Sequence, residues 1–147
     1  MAQIYLNANE TFALTNNATV YGASGFEHIL ISGTPNINLD ASLEEVDFEG
    51  NISDYDFMVE GTKITVTNGA YTVTFASLNQ DCTLRFADGS ATLSLTAMNS
   101  ATLGGSSIGT TPSDVTPTVF NNSDVSVIGI PTNISNLHNM LTEWMLV

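Results

Sequence analysis

The sequence predicts an all-β protein: a solenoid-like β-roll or a small β-sandwich with two β-hairpins, plus a short C-terminal amphipathic helix or arm. Three observations predict it. First, KITVTNGAYTVTF (63–75) and CTLRFADGSATLSL (82–95) alternate apolar and polar residues around Asn68-Gly69 and Asp88-Gly89. Those dipeptides suit two-residue type I′ turns. Second, short apolar strands at Thr19–Tyr21, His28–Ile31, Ile37–Leu39 and Val46–Phe48 follow one another at a step of about nine residues, the near-constant spacing of solenoid rungs. Third, 147 residues of which 43% are hydrophobic make one domain with a real core, despite a net charge of −13.

Taken in order, residues 1–16 hold the alternating segment QIYLNANETFALT, an N-terminal strand or arm at an edge. Residues 17–108 form the β-domain. Its rungs are punctuated by Gly22, Gly25, Gly33 and Pro35. In the first hairpin Ile64, Val66, Tyr71, Val73 and Phe75 share an apolar face, opposite Thr65, Thr67, Thr72 and Thr74. In the second, pairing outward from Asp88-Gly89 sets Arg85 against Thr92 and Leu84 against Leu93. Cys82, Leu84, Phe86, Ala91, Leu93 and Leu95 then face the core. Residues 109–124, rich in Ser, Thr and Pro, read as a linker or extended arm. Within 125–147 a strand candidate, Val125–Ile130, precedes an amphipathic segment with Ile134, Leu137, Met140 or Leu141, and Trp144 at helical spacing.

Charge excludes several functions. Lys63 and Arg85 stand against fifteen acids, so the clustered cations that neutralise phosphate or anionic lipid are missing. No apolar run is long enough for a transmembrane helix, and membrane insertion is not expected. The first residues lack the basic and apolar regions of a secretion signal. Cys82, the only cysteine, falls in an apolar alternation and reads as a buried small hydrophobe. His28 and His138 belong to no HExxH or paired-cysteine frame, so a zinc site is not expected, and His28 reads as a strand residue bonded locally. Glu44 and Glu45, adjacent on a strand, point to opposite faces and make a poor glycosidase pair. No GxSxG elbow or phosphate loop is present. An enzyme is not expected, and no cofactor is required.

The acids concentrate between Asp40 and Glu60. Such a cluster is either a solvated acidic face that keeps sheet edges apart or a set of hard oxygen ligands for calcium. In the second case Asp40, Glu44, Asp47, Asp54 and Asp56 are the candidate ligands.

Several longer patterns lie along the β-domain. They are V-x-G-x-x-G at Val20–Gly25, L-D-A-x-x-E-x-V-x-x-x-G at Leu39–Gly50, N-x-x-D-Y-x-F at Asn51–Phe57, a T-V-T strand ending at Thr67, and R-F-x-D-G-x-A at Arg85–Ala91. This run resembles β-rich domains of bacterial RTX-associated adhesins and surface-layer proteins exported by type I secretion. The resemblance implies an extracellular location, a structural or adhesive role, and calcium as the ion to consider. The chain departs from that group in lacking tandem calcium nonapeptides.

Alternating strands at one end and an apolar C-terminal segment at the other suggest head-to-tail self-association by strand addition. The expected interface holds Ile4, Leu6, Phe12 and Leu14 at the N-terminal end, with Leu137, Leu141, Trp144 and Leu146 at the other. The expected function is therefore a non-enzymatic extracellular protein assembling into a fibre or surface layer. Alternatives are an adhesin module binding glycan or a cell surface, and a phage or viral structural component.

Overall fold

The computed structural model describes residues 2–40, 43–126 and 128. It is an all-β structure of two mixed sheets facing each other across one core. The first half is coiled and the second half is folded back and forth. β1 (Ala2–Tyr5), β3 (Ala18–Tyr21) and β5 (Ile37–Leu39) stack in parallel in one sheet, and β2 (Thr11–Leu14), β4 (His28–Ile31) and β6 (Glu45–Asp47) in the other. The chain thus crosses between sheets at each strand. Ala2 pairs with Ala18 and Ala18 with Ile37, steps of 16 and 19 residues, while Thr11, His28 and Glu45 pair at steps of 17. The nine-residue spacing in the sequence is half a coil.

A 3₁₀ turn (Ile52–Asp54) and two strands, β7 (Asp56–Glu60) and β8 (Lys63–Thr67), then interrupt the coiling. It resumes with β9 (Thr72–Ala76) parallel to β5 and β10 (Cys82–Phe86) parallel to β6. Antiparallel strands extend both sheets from there: β8 and β7 beside β9, and β11 (Gly89–Ala97), β12 (Ser100–Leu103) and β13 (Ser106–Ile108) beside β10. Inward side chains follow the predicted alternation. Ile29, Val46, Phe48, Ile64, Val66, Val73, Phe75, Leu84 and Phe86 are all buried. Phe48 stacks on Phe86 with ring centres 5.1 Å apart, and Tyr55 meets both edge-on or tilted.

Both hairpins have the predicted faces and a different register. In the first, Thr67 pairs with Thr72, so the loop is Asn68 to Tyr71 rather than Asn68-Gly69 alone. Asn68 Oδ1 accepts from the Ala70 and Tyr71 amides, and the Tyr71 hydroxyl meets that of Tyr55 at 2.7 Å inside the core. In the second, Phe86 pairs with Gly89, Arg85 with Ser90 and Leu84 with Ala91. The turn is Ala87-Asp88, and neither residue has positive φ, so it is not type I′. Gly89 belongs to the strand because Phe120 and the Asn121 carbonyl lie 2.6–2.8 Å from where its Cβ would stand. Both slips are by two positions, which leaves every side chain on its predicted face.

Residues 109–124 lie along the domain. Ser113 exchanges backbone hydrogen bonds with Phe57 on the edge strand β7, and the Gly109 carbonyl accepts from Val59. Thr118 and Val119 donate to the Gly104 carbonyl, and Asn121 pairs with Ser90. The predicted amphipathic helix or arm, with Leu137, Leu141, Trp144 and Leu146, lies outside the described residues.

Candidate functional site

Three features stand out on this frame: polar ladders at the bends, a charged cluster on one sheet face, and an open first coil.

The 17-residue step places Glu10, Glu27 and Glu44 at equivalent bends, each immediately before a strand of the second sheet. Glu10 accepts from the Asn7 amide at 2.7 Å. The fully buried Glu27 accepts from Ala23 at 2.8 Å and Asn9 at 3.1 Å. Glu44 accepts from the Glu27 amide at 2.7 Å and from the Gln80 side chain at 2.6 Å. At another bend the Asn17 side chain accepts from the Asn36 amide, and the Asn36 side chain from Thr72. These side chains satisfy backbone donors that a bend takes out of the sheet ladder.

The five candidate calcium ligands are dispersed by this arrangement. Asp40 accepts from the Gly22 amide, Glu44 acts in the ladder, and Asp54 accepts from the Asn51 amide of the 3₁₀ turn. Asp56 is exposed at the start of β7. Asp47 is completely buried and lies instead in the charged cluster. The five do not meet at one point.

That cluster sits on the outer face of the second sheet. Parallel pairing aligns His28 on β4 with Glu45 on β6 and Asp47 with Arg85 on β10. Glu45 and Asp47, two apart on one strand, face the same way. His28 Nε2 is 2.8 Å from Asp47 Oδ1 and 3.3 Å from Glu45 Oε2. Arg85 Nη1 is 3.5 Å from both carboxylates, and its Nη2 donates to the Val125 carbonyl at 2.7 Å. Arg85 Nε lies 3.2 Å from Asp124 Oδ1 but outside hydrogen-bond geometry. Burial raises the Glu45 carboxyl above its ordinary range; His28 and Arg85 oppose that rise, while Asp47 and Asp124 add to it. The sequence reading of His28 as a locally bonded strand residue therefore names the right strand but misses its partners. Only the 17-residue offset between His28 and Glu45 signals them.

The open coil is the end of both sheets at once. Among the described residues β1 and β2 are edge strands on the same side of the molecule. Of the expected interface residues here, Leu6 and Leu14 are buried, and Ile4 and Phe12 are partly exposed against the core. With Ala2, Ala13 and Thr15–Ala18 around them, Ile4, Phe12 and Leu14 line a depression of about 280 Å³. Tyr5 stacks on Tyr21 at 4.8 Å and is 70% exposed, so one face of its ring is bare. The far end differs, because Gly109 and Ser113 already bond to β7.

Cys82 is fully buried and burial pushes its thiol up, so it is not poised as a nucleophile. Comparison with protein-family models, with curated proteins and with solved structures finds no match.

Proposed function

We propose that this chain is a non-enzymatic structural protein of the cell exterior that self-associates through its first coil. One observation carries the proposal: among the described residues β1 and β2 leave two unpaired sheet edges, with Ile4 and Phe12 half-covered, at one end of the core. A second copy supplying strands there would continue both sheets, cover those side chains and extend the Tyr5–Tyr21 stack. Two first coils laid against each other make a symmetric pair that closes. Head-to-tail growth would instead need residues 109–113 to leave β7. The exterior setting rests on the resemblance of Val20–Gly25 and Arg85–Ala91 to secreted adhesin domains.

Light scattering across a concentration series tests the proposal. The expected mass rises with concentration, stopping at two chains for symmetric pairing and growing further for a filament. Phe12→Asp is expected to hold the protein monomeric. Monomers at every concentration would overturn the proposal.

A second function has its own support. The outer face of the first sheet presents Thr65, Thr74, Tyr5 and Tyr21, and the acids on that face, Asp56 and Glu60, stand apart on the edge strand β7. A neutral glycan is the ligand this face would take, and binding by monomers on a glycan array would favour it.

A further inference from the structure

We propose that His28, Glu45 and Asp47 form a binding site for a divalent transition-metal ion of the zinc class. Their donor atoms, His28 Nε2, Glu45 Oε2 and Asp47 Oδ1, lie within 4.8 Å of one another. Zinc takes nitrogen and oxygen donors at about 2.0–2.2 Å, which separates tetrahedral donors by about 3.3 Å. Of the two distances from His28, 3.3 Å matches that spacing and 2.8 Å is a hydrogen bond to Asp47 that the ion would replace. All three residues stand on adjacent strands in fixed register, so the donors are held by the sheet instead of a loop. Imidazole beside two carboxylates selects zinc-like ions over calcium or magnesium, which prefer all-oxygen cages.

Two independent observations point to a cation. Asp47 is 0% exposed, and its Oδ2 has no hydrogen-bond donor among the described residues; a buried carboxylate oxygen in that state calls for a positive partner. Arg85 approaches it only to 3.5 Å. The charges are also unequal. Glu45, Asp47 and Asp124 are three carboxylates around one guanidinium. With His28 neutral, as a ligand must be, two negative charges are left over, the charge of one divalent ion. Arg85 then serves as the outer partner that orients both carboxylates. The three protein donors leave a fourth position for water.

The experiment uses the full chain after dialysis against EDTA. Zinc chloride is expected to bind at one ion per chain and raise the melting temperature, with calcium chloride at the same concentration giving no rise. Zinc is expected to shift the ring nitrogens of His28, distinguished from those of His138 by His138→Ala. His28→Ala is expected to lower zinc affinity about 100-fold or more. Unchanged His28 ring signals under saturating zinc, full zinc affinity in His28→Ala, or an equal response to calcium would each overturn the site. The ring-nitrogen measurement needs no variant at His28, so it decides the matter even if His28→Ala fails to fold.

Discussion

Tyr55 and Tyr71 tie the coiled half of the molecule to the hairpin half through one pair of hydroxyls 2.7 Å apart. The Tyr55 hydroxyl also donates to the Glu49 carbonyl at 2.6 Å, where the coil ends. Burial is the largest cause raising both phenols above their ordinary value of 10.0; the mutual hydrogen bond raises Tyr55 further and partly offsets the rise at Tyr71. A folded-state pKa above the unfolded one means stability that is whole below the unfolded value and lost as pH rises past it. Unfolding in urea followed by circular dichroism should therefore give constant stability contributions from this pair at neutral pH and a decline above pH about 10. Tyr71→Phe is expected to cost about 1 kcal/mol at neutral pH, one hydrogen bond, and to flatten the alkaline decline. An alkaline limb unaffected by Tyr71→Phe would refute this account.

Among the elements, the segment from Gly109 to Ser126 converts an open edge into a covered one. Its anchor is the Gly104-Gly105 turn between β12 and β13, where φ is +54° and +82°. A Cβ at Gly104 would strike the Val119 carbonyl and Pro117. Gly104→Ala is expected to destabilise by about 1–3 kcal/mol and to expose residues 114–121 to limited proteolysis, whereas Gly61→Ala, where a Cβ meets nothing, leaves that segment protected. Equal cleavage of the two variants would count against the anchoring role. The coiled elements were legible because their apolar strands recur at a step of about nine residues, and the face of every hairpin residue followed from alternation. Hairpin register was not legible, because it depends on distant partners: Tyr55 pulls Tyr71 inward, and Phe120 occupies the space beside Gly89. β7, DFMVE, was less legible than β8 because Met58 between the buried Phe57 and Val59 hides the alternation. Of the site, the acids were visible as a cluster along the chain. Their dispersal was not, since each bend amide claims its own carboxylate, and His28 joins Glu45 only once the coil period is known.

For the whole molecule, charge and shape set opposite tendencies. A net charge of −13 keeps copies apart in dilute salt, so added salt should promote association through the first coil by screening. The unequal ends also have a consequence for motion. Coils that touch only their neighbours open from whichever end has fewer neighbours, and among the described residues β1 and β2 each have one partner strand while β3 to β6 have two. Native-state hydrogen exchange should therefore run as a gradient, fastest in β1 and β2, slower through β3 to β6, and slowest at β9 and β10. Uniform protection would mean the roll opens as one unit. Where the gradient holds, the first coil acts as a latch: peeling it away bares the next pair of edges, so its strength sets how far unpairing can travel into the roll.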